Sequence, residues 1–176
     1  PYYFHGDGSL ATEPPTSNQG SSSYQFDPNN PVPTIGGNIS SGADIMVGGA
    51  FHQQESPRFY GCKEPLLPLA SRHDVVVFQT QLLKEDVEVT GPVAVELWAS
   101  SSAVDTDFTA KLVDVYPPSI DFPQGFEMNI TDGMIRARYR ESFEVGKLLN
   151  PGQIYRFNIE LYPTGNLFVR GHRIRM

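Results

Sequence analysis

Serine hydrolysis needs a serine on a sharp elbow, Gly-x-Ser-x-Gly, where small neighbours let the backbone turn and expose the hydroxyl. The two serine-rich stretches, Gly20-Ser21-Ser22-Ser23-Tyr24 and Gly37-Asn38-Ile39-Ser40-Ser41-Gly42, miss that spacing and read as loops. His5, His52, His73 and His172 never form a His-x-x-x-His zinc pair, and His52-Gln53-Gln54-Glu55 is a solitary His/Glu pair. No metal site and no cofactor is therefore expected. Asp105-Thr106-Asp107 would serve acid/base chemistry or calcium only with further oxygen ligands. Beside the Ser100–Val104 turn, these carboxylates read better as acceptors for loop amides. Arg136, Arg138 and Arg140, with Arg173 and Arg175, would make a basic stripe for phosphate. In a chain of net charge −7 a structural stripe fits better, facing carboxylates such as Glu96, Asp114 or Glu160, or another domain. No catalytic residue is expected, and no histidine placed by an acid.

The acidic balance argues against nucleic acid and anionic membranes, both of which select for excess Lys and Arg. A protein or small-molecule partner is expected instead. The 176 residues suit one domain able to bury a core unaided, and the one cysteine, Cys62, allows no internal disulfide. Pro1-Tyr2-Tyr3-Phe4-His5 resembles neither a signal peptide nor a membrane span. It also begins without Met, and His172-Arg173-Ile174-Arg175-Met176 stops in mid-alternation. Both ends lead us to expect a piece of a longer protein.

The elements that would position such residues fall into two parts. More than half of the 16 glycines and 15 prolines lie before Arg72, so 1–71 reads as an extended strap and loops. Asp27-Pro28-Asn29-Asn30-Pro31-Val32-Pro33-Thr34 would be stiff and extended, held down by Tyr24, Phe26 and Ile35. From 72 to 176 the period is two. Val75–Phe78 reads as a strand buried on both faces, Gly91-Pro92 as a turn, and Asp132-Gly133 and Asn150-Pro151-Gly152 as turns before two clear strands. Ile135, Ala137 and Tyr139 oppose Arg136, Arg138 and Arg140 in one of them; Tyr155, Phe157, Ile159 and Leu161 oppose Arg156, Asn158 and Glu160 in the other. About eight strands in an all-β, two-sheet antiparallel sandwich follow, with Val95, Leu97, Phe108, Leu112, Ile135, Tyr155, Phe157, Ile159 and Leu161 in the core.

The order of longer motifs carries a resemblance. Gly6–Pro15, Phe26-Asp27-Pro28, Pro31–Gly37, Arg72–Phe78, Val87–Pro92, Asp105–Val115, Asp132–Ser142 and Gly171–Arg175 together resemble the C-terminal domain of the X-prolyl dipeptidyl peptidase and cocaine esterase family of serine hydrolases. The likeness spans essentially the whole chain. It implies a jelly-roll sandwich of the galactose-binding kind, behind an upstream α/β-hydrolase domain whose Ser/Asp/His triad hydrolyses esters or amides. No catalytic residue transfers onto this chain. The stretches 56–69 and 117–126 are longer than is usual, as in amino-acid ester hydrolases and cephalosporin acylases, so an ester, a peptide and a β-lactam-type amide all stay open as substrates. Relatives also continue past the Arg-Ile-Arg strand through a serine-rich segment that completes the sheet, so ending at Met176 would leave a strand edge unpaired.

The resemblance also implies that Gly36, Gly37, Asn38 and Ile39 lie where the jelly roll meets the catalytic domain and its acyl pocket. Trp98, Arg136, Arg138 and Arg140 are the expected interdomain face. A carbohydrate-binding jelly roll and a structural module joining copies in a homo-oligomer remain as alternatives. Trp98 separates them: covered by protein it favours the first or third reading, whereas an aromatic platform beside loop Asp, Asn or Glu favours sugar.

Overall fold

The computed structural model describes residues 1–16, 20–42 and 45–176. Strands β1 (Tyr3–Phe4) and β2 (Leu10–Ala11) form a small hairpin. The sandwich is carried by β3 (Val87–Ala99), β4 (Asp107–Tyr116), β5 (Phe126–Arg136) and β6 (Tyr155–Phe168), with the short β7 (Arg173–Arg175). β3 pairs antiparallel with β6 along its length, from Val87↔Phe168 to Ala99↔Tyr155. A second antiparallel sheet has the order β5-β4-β7. Four long strands thus replace the expected eight of ordinary length. No α-helix occurs among the described residues.

Alternation in β3 and β6 puts Val95, Leu97, Phe157, Ile159 and Leu161 inward, and Glu96, Trp98, Arg156 and Asn158 outward. All nine expected core residues lie in the core. Seven are buried, and Leu97 and Tyr155 are partly buried against them. Phe108 packs on the fully buried Phe157 with ring centroids 4.7 Å apart. Pattern reading missed Leu10, Leu149, Phe168 and Ile174, which also close this core. Leu10 and Leu149 are brought in by short or irregular segments where no period of two announces burial.

Four local expectations are corrected. Gly91-Pro92 is no turn: β3 runs through it, with a register shift between Gly91 and Val93 that absorbs the proline's missing donor. Asp132-Gly133 likewise lies inside β5, where Lys111↔Asp132 and Ala110↔Gly133 pair. Val75–Phe78 is irregular and Val76 is exposed. Phe78 still exchanges two backbone hydrogen bonds with Met176, at 2.9 and 2.8 Å. Finally, β5 ends at Arg136, and Ala137–Tyr139 is a 3₁₀ turn. Asn150-Pro151-Gly152 does turn, with Gln153 N donating to Asn150 O at 3.1 Å.

In the loop-rich part Ile35 is fully buried, whereas Tyr24 and Phe26 are exposed, so Ile35 and Pro33 hold the extended segment down. Phe51–Gln54 runs beside the start of β5, with Gln53 N donating to Glu127 O at 2.9 Å. Gln53 Nε2 then donates to Ile35 O at 2.9 Å. Arg72 is the second fastener. Its guanidinium forks onto Asp74 with two bonds of 2.8 Å and donates to Asn30 O, also at 2.8 Å. Glu55 lies 3.5 Å away.

Candidate functional site

Gly37 and Gly49 exchange backbone hydrogen bonds at 2.9 Å, and Ser41 N donates to Met46 O, which makes a narrow hairpin of the segment after the strap. Its root lies on β5. Asp132 N donates to Asn38 Oδ1 at 2.9 Å, and Asn38 N donates to Asp132 Oδ1 at 3.2 Å. Glycine at 37 is required twice over: φ is +107°, and a Cβ there would lie 2.3 Å from Asp132 Oδ2. Asp132 also receives Lys111 Nζ at 3.3 Å, with about three-quarters of both side chains covered. Burial pushes the Lys111 amine down, and the Asp132 carboxylate opposes that shift. The result is a fixed backbone from which Ile39, 56% exposed, projects an apolar side chain.

The arginines take other partners than the sequence implied. Arg136 forks onto Asp107 at 2.8 and 3.0 Å, which raises its pKa. Arg138 pairs with Asp105, which also accepts the Arg138 backbone amide at 2.9 Å. Arg140 donates to the carbonyls of Ala137 and Lys147, lies over the Tyr155 ring at 4.3 Å and pairs with Glu141. The facing carboxylates are therefore Asp107, Asp105 and Glu141, not Glu96, Asp114 or Glu160. Arg136 and Arg138 take the alternate carboxylates Asp107 and Asp105, while the 3₁₀ turn gives Arg140 a separate set of partners, so the three do not form one strand-borne stripe. Arg140, its side chain 7% exposed, is committed within the domain.

Trp98 is exposed on the outer face of the β3-β6 sheet, directly across from Arg156. Its Nε1 donates to Glu96 Oε1 at 3.2 Å, and Glu96 pairs with Arg156 at 3.7 Å. Its hydrogen-bond partner Glu96 and its register partner Arg156 both lie on strands.

One arrangement was invisible in the sequence. His172 Nδ1 is 2.9 Å from Oδ1 of the fully buried Asp114, and the ring packs against Tyr116 with centroids 4.2 Å apart. A histidine placed by an acid is thus present, contrary to expectation. The pair is 58 residues apart in sequence and is joined by the β4-β7 pairing of Asp114 with Ile174. Among the described residues no serine hydroxyl hydrogen-bonds to a histidine ring, so the pair lacks a serine to activate. His52 and Glu55 do not converge either. Glu127 N donates to His52 Nδ1 at 2.9 Å, while Glu55 accepts Leu67 N and faces Arg72. No cluster of three His, Cys, Asp or Glu suited to a metal occurs among the described residues.

Fold and site together define an antiparallel β-sandwich domain whose described residues assemble no nucleophile–base pair. The sequence matches, over residues 2–176, the family described as the X-Pro dipeptidyl-peptidase C-terminal non-catalytic domain, and the chain belongs to that family. It is 38% identical over 182 residues to cocaine esterase from Rhodococcus sp. (strain MB1 Bresler), covering 99% of this chain and 28% of that protein. Among solved structures it resembles an aminopeptidase from the marine sediment archaeon Thaumarchaeota archaeon, with TM-score 0.80 and 33% identity over 99% of this chain and 28% of that one. An α-amino acid ester hydrolase superposes with TM-score 0.78 and 28% identity, over 99% of this chain and 27% of the other. The chain thus spans little more than a quarter of the length of these relatives. It is the non-catalytic C-terminal domain of this hydrolase family.

Proposed function

We propose that this domain packs against the α/β-hydrolase domain of a serine esterase or amidase, stabilises it, and supplies the Gly36–Ile39 loop as one wall of the acyl pocket. The observation that carries this reading is a half-exposed Ile39 on a backbone fastened to β5 through Asn38 and Asp132. An apolar side chain held out by a rigid loop suits the rim of an apolar pocket, where most binding energy comes from area removed from water. The hydrolytic names of the relatives support ester or amide substrates. Exposed Trp98 supports a covering partner on the β3-β6 face, and Arg136, about half exposed beside Asp107, adds a polar contact.

Ile39→Asp in the full natural chain should lower kcat/KM for an apolar acyl ester about tenfold, equivalent to ~1.4 kcal/mol, and leave Tm nearly unchanged. Steady-state kinetics beside a thermal melt checks this. A Tm drop matching the activity loss would make Ile39 a packing residue, and wild-type values for both would place the wall elsewhere on this domain.

A further inference from the structure

Asp132 sits where three parts of the domain meet. On one side of β5, Thr131 Oγ1 donates to Tyr162 O at 2.8 Å, and Gly133 passes so close to β6 that an added Cβ would lie 2.2 Å from Glu160 O. On the other side, Asp132 hydrogen-bonds Asn38 at the hairpin root, 94 residues earlier in sequence. Its two carboxylate oxygens have separate tasks: Oδ1 accepts Asn38 N and Oδ2 accepts Lys111 Nζ. The Lys111 contact crosses β4 to β5, from Lys111 to its register partner. A carboxylate held from behind by a cation, with β5 fixed on its far side by β6, cannot rotate away from the Asn38 amide.

We propose that Asp132, oriented by Lys111, is the positioning residue of the Gly36–Ile39 loop, fixing where Ile39 points. Its kinetic role rests on the reading of that loop as a pocket wall; the clamp itself does not. Without the Asp132 side chain the root keeps Gly37 N to Gly49 O and its reciprocal, which are internal to the hairpin, and the backbone bond from Asp132 N to Asn38 Oδ1, while the Asn38 amide loses its acceptor. The internal pair keeps the hairpin closed, and the surviving bond holds only the flexible Asn38 side chain, not its backbone. Lys111→Met leaves Asp132 with its Asn38 bond but without the cation that holds it. Asp132→Asn keeps an oxygen for Asn38 N but puts an amide NH2, a donor, where Oδ2 accepted Lys111 Nζ.

The test measures residue-resolved amide exchange and steady-state kinetics in the full natural chain for Asp132→Ala, Asp132→Asn and Lys111→Met. In Asp132→Ala the Asn38 amide should exchange at least tenfold faster while Phe157–Leu161 keep their protection. KM for an apolar acyl ester should rise several-fold with kcat nearly constant. Asp132→Asn should restore part of both, and Lys111→Met should lie between wild type and Asp132→Ala. If Asp132→Ala does not fold, the other two variants decide. Faster exchange with unchanged KM upholds the clamp and removes the loop from the pocket wall. Wild-type exchange at Asn38 in Asp132→Ala and Lys111→Met overturns the proposal, whatever the kinetics.

Discussion

Gly133→Ala is expected to destabilise the domain by about 3 kcal/mol, the upper end of the cost of forcing extra carbon into a packed interior. The added Cβ would lie 2.2 Å from Glu160 O and 2.9 Å from the carbonyl carbon. Both are backbone atoms of a strand tied to β3 over its whole length, so neither can swing aside as a side-chain tip would. Relief requires β5 to lift from β6, which would also stretch the Thr131 Oγ1 bond to Tyr162 O. For a domain of this size that loss lowers Tm by roughly 6–12 °C. An unchanged calorimetric midpoint would show that β5 and β6 are not in this contact in solution.

Arg72→Met should cost about 3–5 kcal/mol, because removing one partner of a buried pair leaves its carboxylate uncompensated. The Arg72 and Asp74 side chains are 11% and 2% exposed, and the same guanidinium reaches Asn30 O and Glu55. The Arg72 hydrogen bond lowers the Asp74 pKa below its ordinary value of 3.8, against a smaller opposing effect of burial. A depressed folded-state pKa means stability that is fully present above the ordinary value and lost as pH falls through the lowered one. Wild-type protein should therefore lose this contribution only at strongly acidic pH. Urea midpoints measured down that range should show the loss in wild type and not in Arg72→Met. Asp74→Asn added to Arg72→Met should recover part of the stability by removing the stranded charge. Failure of the single change to lower the midpoint at neutral pH would mean that Arg72 does not fasten the strap.

What the sequence reveals depends on how local the cause is. Tyr155–Leu161 and Val93–Ala99 read correctly because burial of one sheet face writes itself into every second residue. Arg136–Arg140 carries the same alternation, yet only Arg136 belongs to a strand. There the Asp105 and Asp107 carboxylates, some thirty residues away, and the Arg138 bond to Lys147 N decide the backbone. Asp132-Gly133 has the composition of a tight turn, but the glycine serves a close approach to β6 and the aspartate a loop nearly a hundred residues earlier. Nothing local separates these two uses of one dipeptide. His172–Asp114 escapes for the same reason, since only the β4-β7 pairing makes them neighbours. The family resemblance was legible because several long motifs keep their order over the whole chain, and the match over residues 2–176 agrees with it. The Gly36–Ile39 loop could be pointed to by that likeness alone. Its fastening to β5 could not.

If this domain serves an upstream hydrolase without performing hydrolysis, the 176-residue chain and the full natural chain should differ on p-nitrophenyl acetate and an X-Pro anilide. The full chain should show turnover sensitive to a serine-directed inhibitor, and the domain none above buffer, since no serine is bonded to its His172–Asp114 pair. A burst from the domain alone, proportional to its concentration and abolished by that inhibitor, would contradict it.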